Sequence, residues 1–190
     1  GNVTIVSSSG AVNISGGNID TRASGSSGGN VTIAGNTVTV TNPINTSSVG
    51  AFGVSRSGGD ILILGQGNVA VANLSAQLTN TSMGATGRAG NIAVFAGTSG
   101  TGSLSAGNID VRPIGFGLSA GTLTLVAPGS ITTGNVTALN SGGLPGQVVV
   151  AAGKVGSAAT ITVGDVNTGG AVLGGPVVLV NLGDNGNIAT

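Results

Sequence analysis

A five-residue phrase occurs seven times along this 190-residue chain. Gly1-Asn2-Val3-Thr4-Ile5 comes back unchanged as Gly29-Asn30-Val31-Thr32-Ile33. It recurs with substitutions as Gly59-Asp60-Ile61-Leu62-Ile63, Gly90-Asn91-Ile92-Ala93-Val94 and Gly121-Thr122-Leu123-Thr124-Leu125, then as Gly146-Gln147-Val148-Val149-Val150 and Gly175-Pro176-Val177-Val178-Leu179. The leading glycines stand 28, 30, 31, 31, 25 and 29 residues apart, a mean of 29. A period of this length means a stack of similar units, each burying its apolar face against the next.

Within a period the apolar residues sit two apart. Val3 and Ile5, Val12 and Ile14, Val38 and Val40, and Ile161 and Val163 follow this rule. Period two is the signature of a strand with one buried face, and the β-branched residues at these positions suit strands. Gly, Asn, Ser and Pro cluster between them, where the chain must turn. Each period therefore reads as about three strands joined by corners, one coil of a β-solenoid. Six to seven coils stacked at ~4.8 Å give parallel sheets and a rod of about 30 Å. The handedness of parallel crossovers makes it a right-handed parallel β-helix.

Stacking predicts three interior columns. The first is Val3, Val31, Ile61, Ile92, Leu123, Val148 and Val177, and the second is Ile5, Ile33, Ile63, Val94, Leu125, Val150 and Leu179. The third is Ile19, Ile44, Leu74, Ile109, Val136, Val166 and Ile188, with Asn187-Ile188-Ala189-Thr190 read as a third strand. The fourth coil fits least well, because its second strand near Leu104 is weakly marked. Ser47 to Gly58, Gln77 to Ala89 and Pro113 to Ala120 are too long for corners, so they are expected to protrude along one edge. No linker or composition shift interrupts residues 1–190, which read as a single continuous solenoid.

Thirty-eight glycines could suggest a flexible linker, but 39% of residues are hydrophobic and regularly patterned, which disorder does not show. Only ten residues are charged and the net charge is zero. Nothing here would neutralise a nucleic-acid backbone. Apolar runs such as Val148 to Ala152 are too short for a spanning helix. The absence of Tyr and Trp argues against a membrane barrel with aromatic girdles.

The chemistry available is narrow. There is no His and no Cys, and the five carboxylates are Asp20, Asp60, Asp110, Asp165 and Asp184. Serine has no base to activate it. Asp20 and Asp110 occupy matching places three periods apart, ~14 Å at the stacking distance, too far for a glycosidase pair. Asp20 with Arg22, and Asp110 with Arg112, fall on one strand face and read as exposed ion pairs. Ser57-Gly58-Gly59-Asp60 resembles part of a calcium-binding nonapeptide, but it occurs once and lacks the tandem aspartates. The Thr37-Val38-Thr39-Val40-Thr41 alternation does not extend to a threonine lattice: the Thr4 position reads Thr, Thr, Leu, Ala, Thr, Val, Val down the coils. Asn2, Asn30 and Asn91, and Asn18, Asn73, Asn108 and Asn135, read as stacked structural ladders at the corners. Of the three aromatics, Phe95 adjoins a strand. Phe52 and Phe116 lie in the long segments and are expected to help these fold back over the third face. The residues therefore predict no catalytic site, no metal site and no cofactor.

The phrases Gly-Asn-Val-Thr-Ile, Gly-Gly-Asn-Ile-Asp-Thr and the run from Gly129 to Ala138 resemble repeats of the filamentous haemagglutinin family, large bacterial exoproteins of two-partner secretion systems. The resemblance extends over essentially the whole chain. It implies a right-handed β-helix, export across an outer membrane, and a role in adhesion or extracellular matrix. Asn42-Pro43-Ile44-Asn45 departs from the family's Asn-Pro-Asn-Gly secretion motif, so a secretion domain is not expected here. The leading expectation is a secreted, surface-displayed structural module without enzymatic activity. Uncapped first and last coils would pair head to tail with other copies, Val3 and Ile5 meeting Val177, Leu179 and Ile188. The alternatives are a carbohydrate-active β-helix of the polysaccharide lyase or phage depolymerase type, and a glycan-binding surface on the long segments. Host or matrix glycans would be the partners of such a surface.

The proposed register is tested by two adjacent substitutions. Ile33→Asp is expected to cost more than about 3 kcal/mol, because it puts a carboxylate inside an apolar column. Thr32→Asp, facing out, is expected to cost less than about 1 kcal/mol. Urea unfolding followed by circular dichroism distinguishes them, and equal costs would refute the register.

Overall fold

The structure is a computed structural model that describes residues 1–50, 54–82, 84–170 and 173–190. Among the described residues there is no helix, and every named strand pairs in parallel with its counterpart one repeat away. Sheet A has seven strands: Val3–Val6, Val31–Gly35, Ile61–Gly65, Ile92–Phe95, Leu123–Ala127, Val148–Ala152 and Val177–Asn181. Sheet B also has seven: Val12–Ile14, Val38–Val40, Val69–Val71, Leu104–Ala106, Ile131–Thr133, Thr160–Val163 and Asn187–Ala189. Sheet C has six two-residue strands: Ile19–Asp20, Ile44–Asn45, Leu74–Ser75, Ile109–Asp110, Val136–Thr137 and Val166–Asn167. Three sheets around one interior make the expected β-solenoid.

The two columns of sheet A stack in the predicted order, Val3 on Val31 through to Val177 and Ile5 on Ile33 through to Leu179. Their members in the second to sixth coils are 0–1% exposed. The interior is filled almost wholly by Val, Ile, Leu and Ala. A space this narrow takes no ring, and Phe95 points outward, in register with Leu64 and Val126. Leu104, despite its weak flanking pattern, is a full member of sheet B, pairing with Val69 and Ile131.

One assignment is corrected. Ile188 pairs with Ile161 in sheet B and does not extend the Ile19-to-Val166 column of sheet C. The local phrase Asn-Ile-Ala imitates Asn18-Ile19-Asp20, but a second strand must be laid before a third. The chain leaves Val177–Asn181 through a tight turn in which Asn185 adopts φ 57° and the Asn181 side chain holds Gly183 and Ala159. That turn delivers Asn187 directly onto Thr160.

The long segments are more ordered than loops. They carry sheet D, with strands Ala23–Ser24, Ser48–Val49, Leu78–Thr79 and Pro113–Ile114, and sheet E, with strands Arg56–Ser57 and Gly87–Arg88. Leu78, Ala85 and Leu118 form a small separate core between them. The segments thus make a lateral arm. Phe116 does not cover the third face: it is 75% exposed, and Leu118 is the residue buried instead. Phe52 lies outside the described residues.

Five of the six arms close at a neck. The leading glycine of one coil donates its N–H to the carbonyl that follows sheet C in the coil before: Gly29 to Thr21, Gly59 to Thr46, Gly90 to Ala76, Gly121 to Val111 and Gly175 to Thr168. The hydroxyls of Thr21, Thr46 and Thr168 return a hydrogen bond to the carbonyls of Gly29, Gly59 and Gly175. The buried polar groups are thereby paired.

The same glycines form a spine. A Cβ on Gly29 would run into the carbonyl of Gly1, one on Gly59 into that of Gly29, and one on Gly90 into that of Gly59. Gly121, Gly146 and Gly175 continue the series over Gly90, Gly121 and Gly146. The backbone of successive coils touches here, which is why the repeat always opens on glycine. Gly90→Ala is expected to lose about 2 kcal/mol or more, because the obstacle is backbone. Gly16→Ala, with nothing within 4 Å of the new methyl, is expected to change stability by less than about 1 kcal/mol. Thermal melts of the two variants check the difference, and a neutral Gly90→Ala would refute the spine.

Candidate functional site

At each corner the first N–H of a strand lies just before the sheet's ladder begins, and it needs an acceptor. Side-chain oxygens of the neighbouring coil supply it. Before sheet A, Asn2 Oδ1 accepts from the N–H of Asn30, Asn30 Oδ1 from Asp60, Asp60 Oδ1 from Asn91, and Asn91 Oδ1 from Thr122, at 2.7–3.1 Å. Before sheet C, Asn73 accepts from Asn108, Asn108 from Asn135, and Asn135 from Asp165, at 2.8–3.1 Å. Before sheet B, Asn68 Oδ1 accepts from Ser103, Ser103 Oγ from Ser130, and Ser130 Oγ from Thr160.

The expected ladders are therefore present, but they run from side-chain oxygen to backbone N–H and not from amide to amide. An aspartate or serine serves as well as an asparagine, because only an acceptor oxygen is needed. Asn18, expected in the second ladder, does not extend it. Its neighbour in the next coil is Pro43, which has no N–H to give.

This accounts for two of the acids: Asp60 and Asp165 occupy ladder positions, Asp60 accepting through Oδ1. Asp184 Oδ2 accepts from the N–H of Gly156. Ser57-Gly58-Gly59-Asp60 is a neck followed by a ladder rung: Gly58 and Gly59 pass against the backbone of Ala76 and Gly29. Asp20 and Asp110 share a column with Asn45 and Ser75 between them, so the register keeps them three coils apart. Asp20, Asn45, Asp110 and Asn167 each accept, through Oδ1, the N–H two residues on. That short turn steers the chain out of sheet C. Among the described residues, no three His, Cys, Asp or Glu side chains gather in one place.

The two ion pairs form as expected. Arg22 grips the Asp20 carboxylate through Nε and Nη2, with the closest contact 2.6 Å. These side-chain hydrogen bonds, followed by the one from the Arg22 backbone, hold the Asp20 carboxyl below its ordinary range. Arg112 Nε lies 3.1 Å from Asp110 Oδ2 without hydrogen-bond alignment. Gln77 Nε2 donates to the same oxygen of Asp110. The Arg22 pair is open to solvent and adds little to stability, and the Arg112 pair is half-buried.

The Thr4 column, which the sequence shows is no threonine lattice, is one half of an apolar outer face of sheet A. One outward column reads Leu62, Ala93, Thr124, Val149 and Val178, and the next reads Leu64, Phe95, Val126, Ala151 and Val180. The signal was present in unbroken apolar runs such as Ile61 to Leu64 and Val148 to Ala152. A run without alternation marks a strand apolar on both faces. The outward column of sheet B differs: Thr39, Ala70, Ser105, Thr132 and Thr162 are small and mostly hydroxylic. No family model, curated protein or solved structure matches the chain.

The role of Asp60 as a rung has a direct test. Asp60→Asn keeps the acceptor oxygen and is expected to leave stability within about 0.5 kcal/mol. Asp60→Leu orphans the N–H of Asn91 and is expected to cost about 1–2 kcal/mol. Unfolding curves for the pair check the assignment, and equal costs would overturn it.

Proposed function

We propose that this chain is a structural module of an extracellular fibre or adhesin, a rod whose coils stack on further coils and which carries out no catalysis. One observation carries the reading. Val148 and Val150 are fully buried between coils, whereas Val177, their neighbour on the last coil of sheet A, is 42% exposed, as is Ile188 of sheet B. A column position is complete only with a coil on each side. The outer edges of sheets A, B and C offer unpaired backbone groups in the spacing of another coil. The first coil of another copy fits that edge, with Val3 and Ile5 receiving Val177 and Leu179.

The resemblance to filamentous haemagglutinin repeats supports an exported, cell-surface setting. The engagement of Asp60 in a backbone ladder supports a structural use of the acids over a hydrolytic one. Host or matrix glycans are the partners that such a rod would meet along its arms. A heterologous end-to-end contact does not close, so copies in solution would build filaments.

Negative-stain electron microscopy of the purified chain is expected to show filaments about 2–3 nm wide, set by strand sides of roughly 17 Å. Val3→Pro and Thr4→Lys are expected to stop growth while leaving the fold intact, since each blocks the exposed edge strand. A chain that stays monomeric at high concentration, or filaments unaffected by these changes, would sink end-to-end assembly. Turnover of a polysaccharide that disappears in an Asp60 or Asp165 variant would sink the non-catalytic reading.

A further inference from the structure

The two outward columns of sheet A leave an apolar stripe with nothing over it. Of the ten side chains from Leu62 to Val180, only Thr124 is polar and none is charged. Scattered surface apolar residues are ordinary, but a continuous stripe over five strands is not. The core covers only the inner face of sheet A. Five strands at ~4.8 Å, each about 17 Å long, give roughly 400 Å², within the range of about 300–600 Å² of the largest apolar patch on a monomer, which is often functional.

We propose that this stripe pairs side by side with the same stripe of a second copy, two rods packing face to face through sheet A. The spacing of the stripe selects that partner. Its side chains stand in rows ~4.8 Å apart, and a second copy presents rows of the same spacing, so ridges and furrows stay matched along the whole contact. Lacking charge, the stripe meets its own likeness without repulsion. The outward face of sheet B, lined by Thr39, Ser105 and Thr132, has no such apolar continuity.

Area sets the strength. Each coil adds about 80 Å², and a standard interface takes about 800 Å² from each partner. The coils of this chain alone give a weak, concentration-dependent pairing. A rod of about ten coils reaches the standard size. Lateral pairing therefore strengthens with axial length, and its central residues, Thr124, Val126 and Val149, lie outside the axial contact.

The chain has no cysteine, so a single introduced thiol reports one position. Thr124 lies in the middle coil of the stripe, where a symmetric contact brings a residue opposite its own counterpart. A bismaleimide with a reach of about 10 Å, the spacing of stacked sheets, is expected to link Thr124→Cys into covalent dimers at least tenfold faster than Thr132→Cys on sheet B. Adding Val126→Lys, or Val149→Lys, to the Thr124→Cys chain is expected to bring the rate down to that of Thr132→Cys with the melting curve preserved. Equal rates for the two thiols, or dimers indifferent to both lysines, would overturn the proposal. Thr124 dimers without filaments would sink axial stacking and keep lateral pairing, and filaments without Thr124 dimers would do the reverse.

Discussion

Everything in this molecule depends on the distance between one coil and the next. Backbone hydrogen bonding between parallel strands fixes it near 4.8 Å, and the chain must return to the same point in cross-section after each turn. Like then lies on like. An apolar residue meets an apolar residue, as in the run from Val3 to Val177. A glycine meets a carbonyl that leaves no room for a methyl group. A side-chain oxygen finds the N–H of its own counterpart. The repeat in the sequence is the linear record of this geometry, and its variations show which positions the geometry leaves free.

The polar corners are as constrained as the core. A triangular coil breaks its sheets at each corner, and each break strands an N–H. The three ladders repair most of these breaks in the middle coils, each with one short acceptor. Because the requirement is an oxygen at a fixed height, Asn, Asp and Ser exchange within a ladder, as Asn30, Asp60 and Asn91 do. Asp60 serves as an acceptor in this scaffold, and Asp20 and Asp110 turn the chain out of sheet C.

Much of the fold was legible because the sheet A phrase is long and alternates. Both of its columns, the outward facing of Thr32 and the placement of Asn ladders at corners follow from period and spacing alone. What escaped has physical reasons. Sheet D and sheet E use two-residue strands, too short to show a period, so their segments read as loops. Leu104 lacked apolar flanks and was ordered by its neighbours Val69 and Ile131. Ile188 sits in a local phrase that matches a third strand, although the topology must lay a second strand first. Asp60 stands out by its charge, whereas the ladder recognises only an oxygen.

The necks have a consequence for how such a chain can change over time. Between neck residues the arms hold 7 residues after Thr21, 12 after Thr46, 13 after Ala76, 9 after Val111 and 6 after Thr168. The distance spanned at the neck stays that of one hydrogen bond. Residues added or removed within an arm leave the pitch, the spine and the three interior columns untouched. The edge between sheet C and sheet A is therefore a row of splice points, where new sequence can be tried without renegotiating the rod. Variation in such a lineage would accumulate along that edge as a ridge of unequal teeth on an otherwise constant shaft.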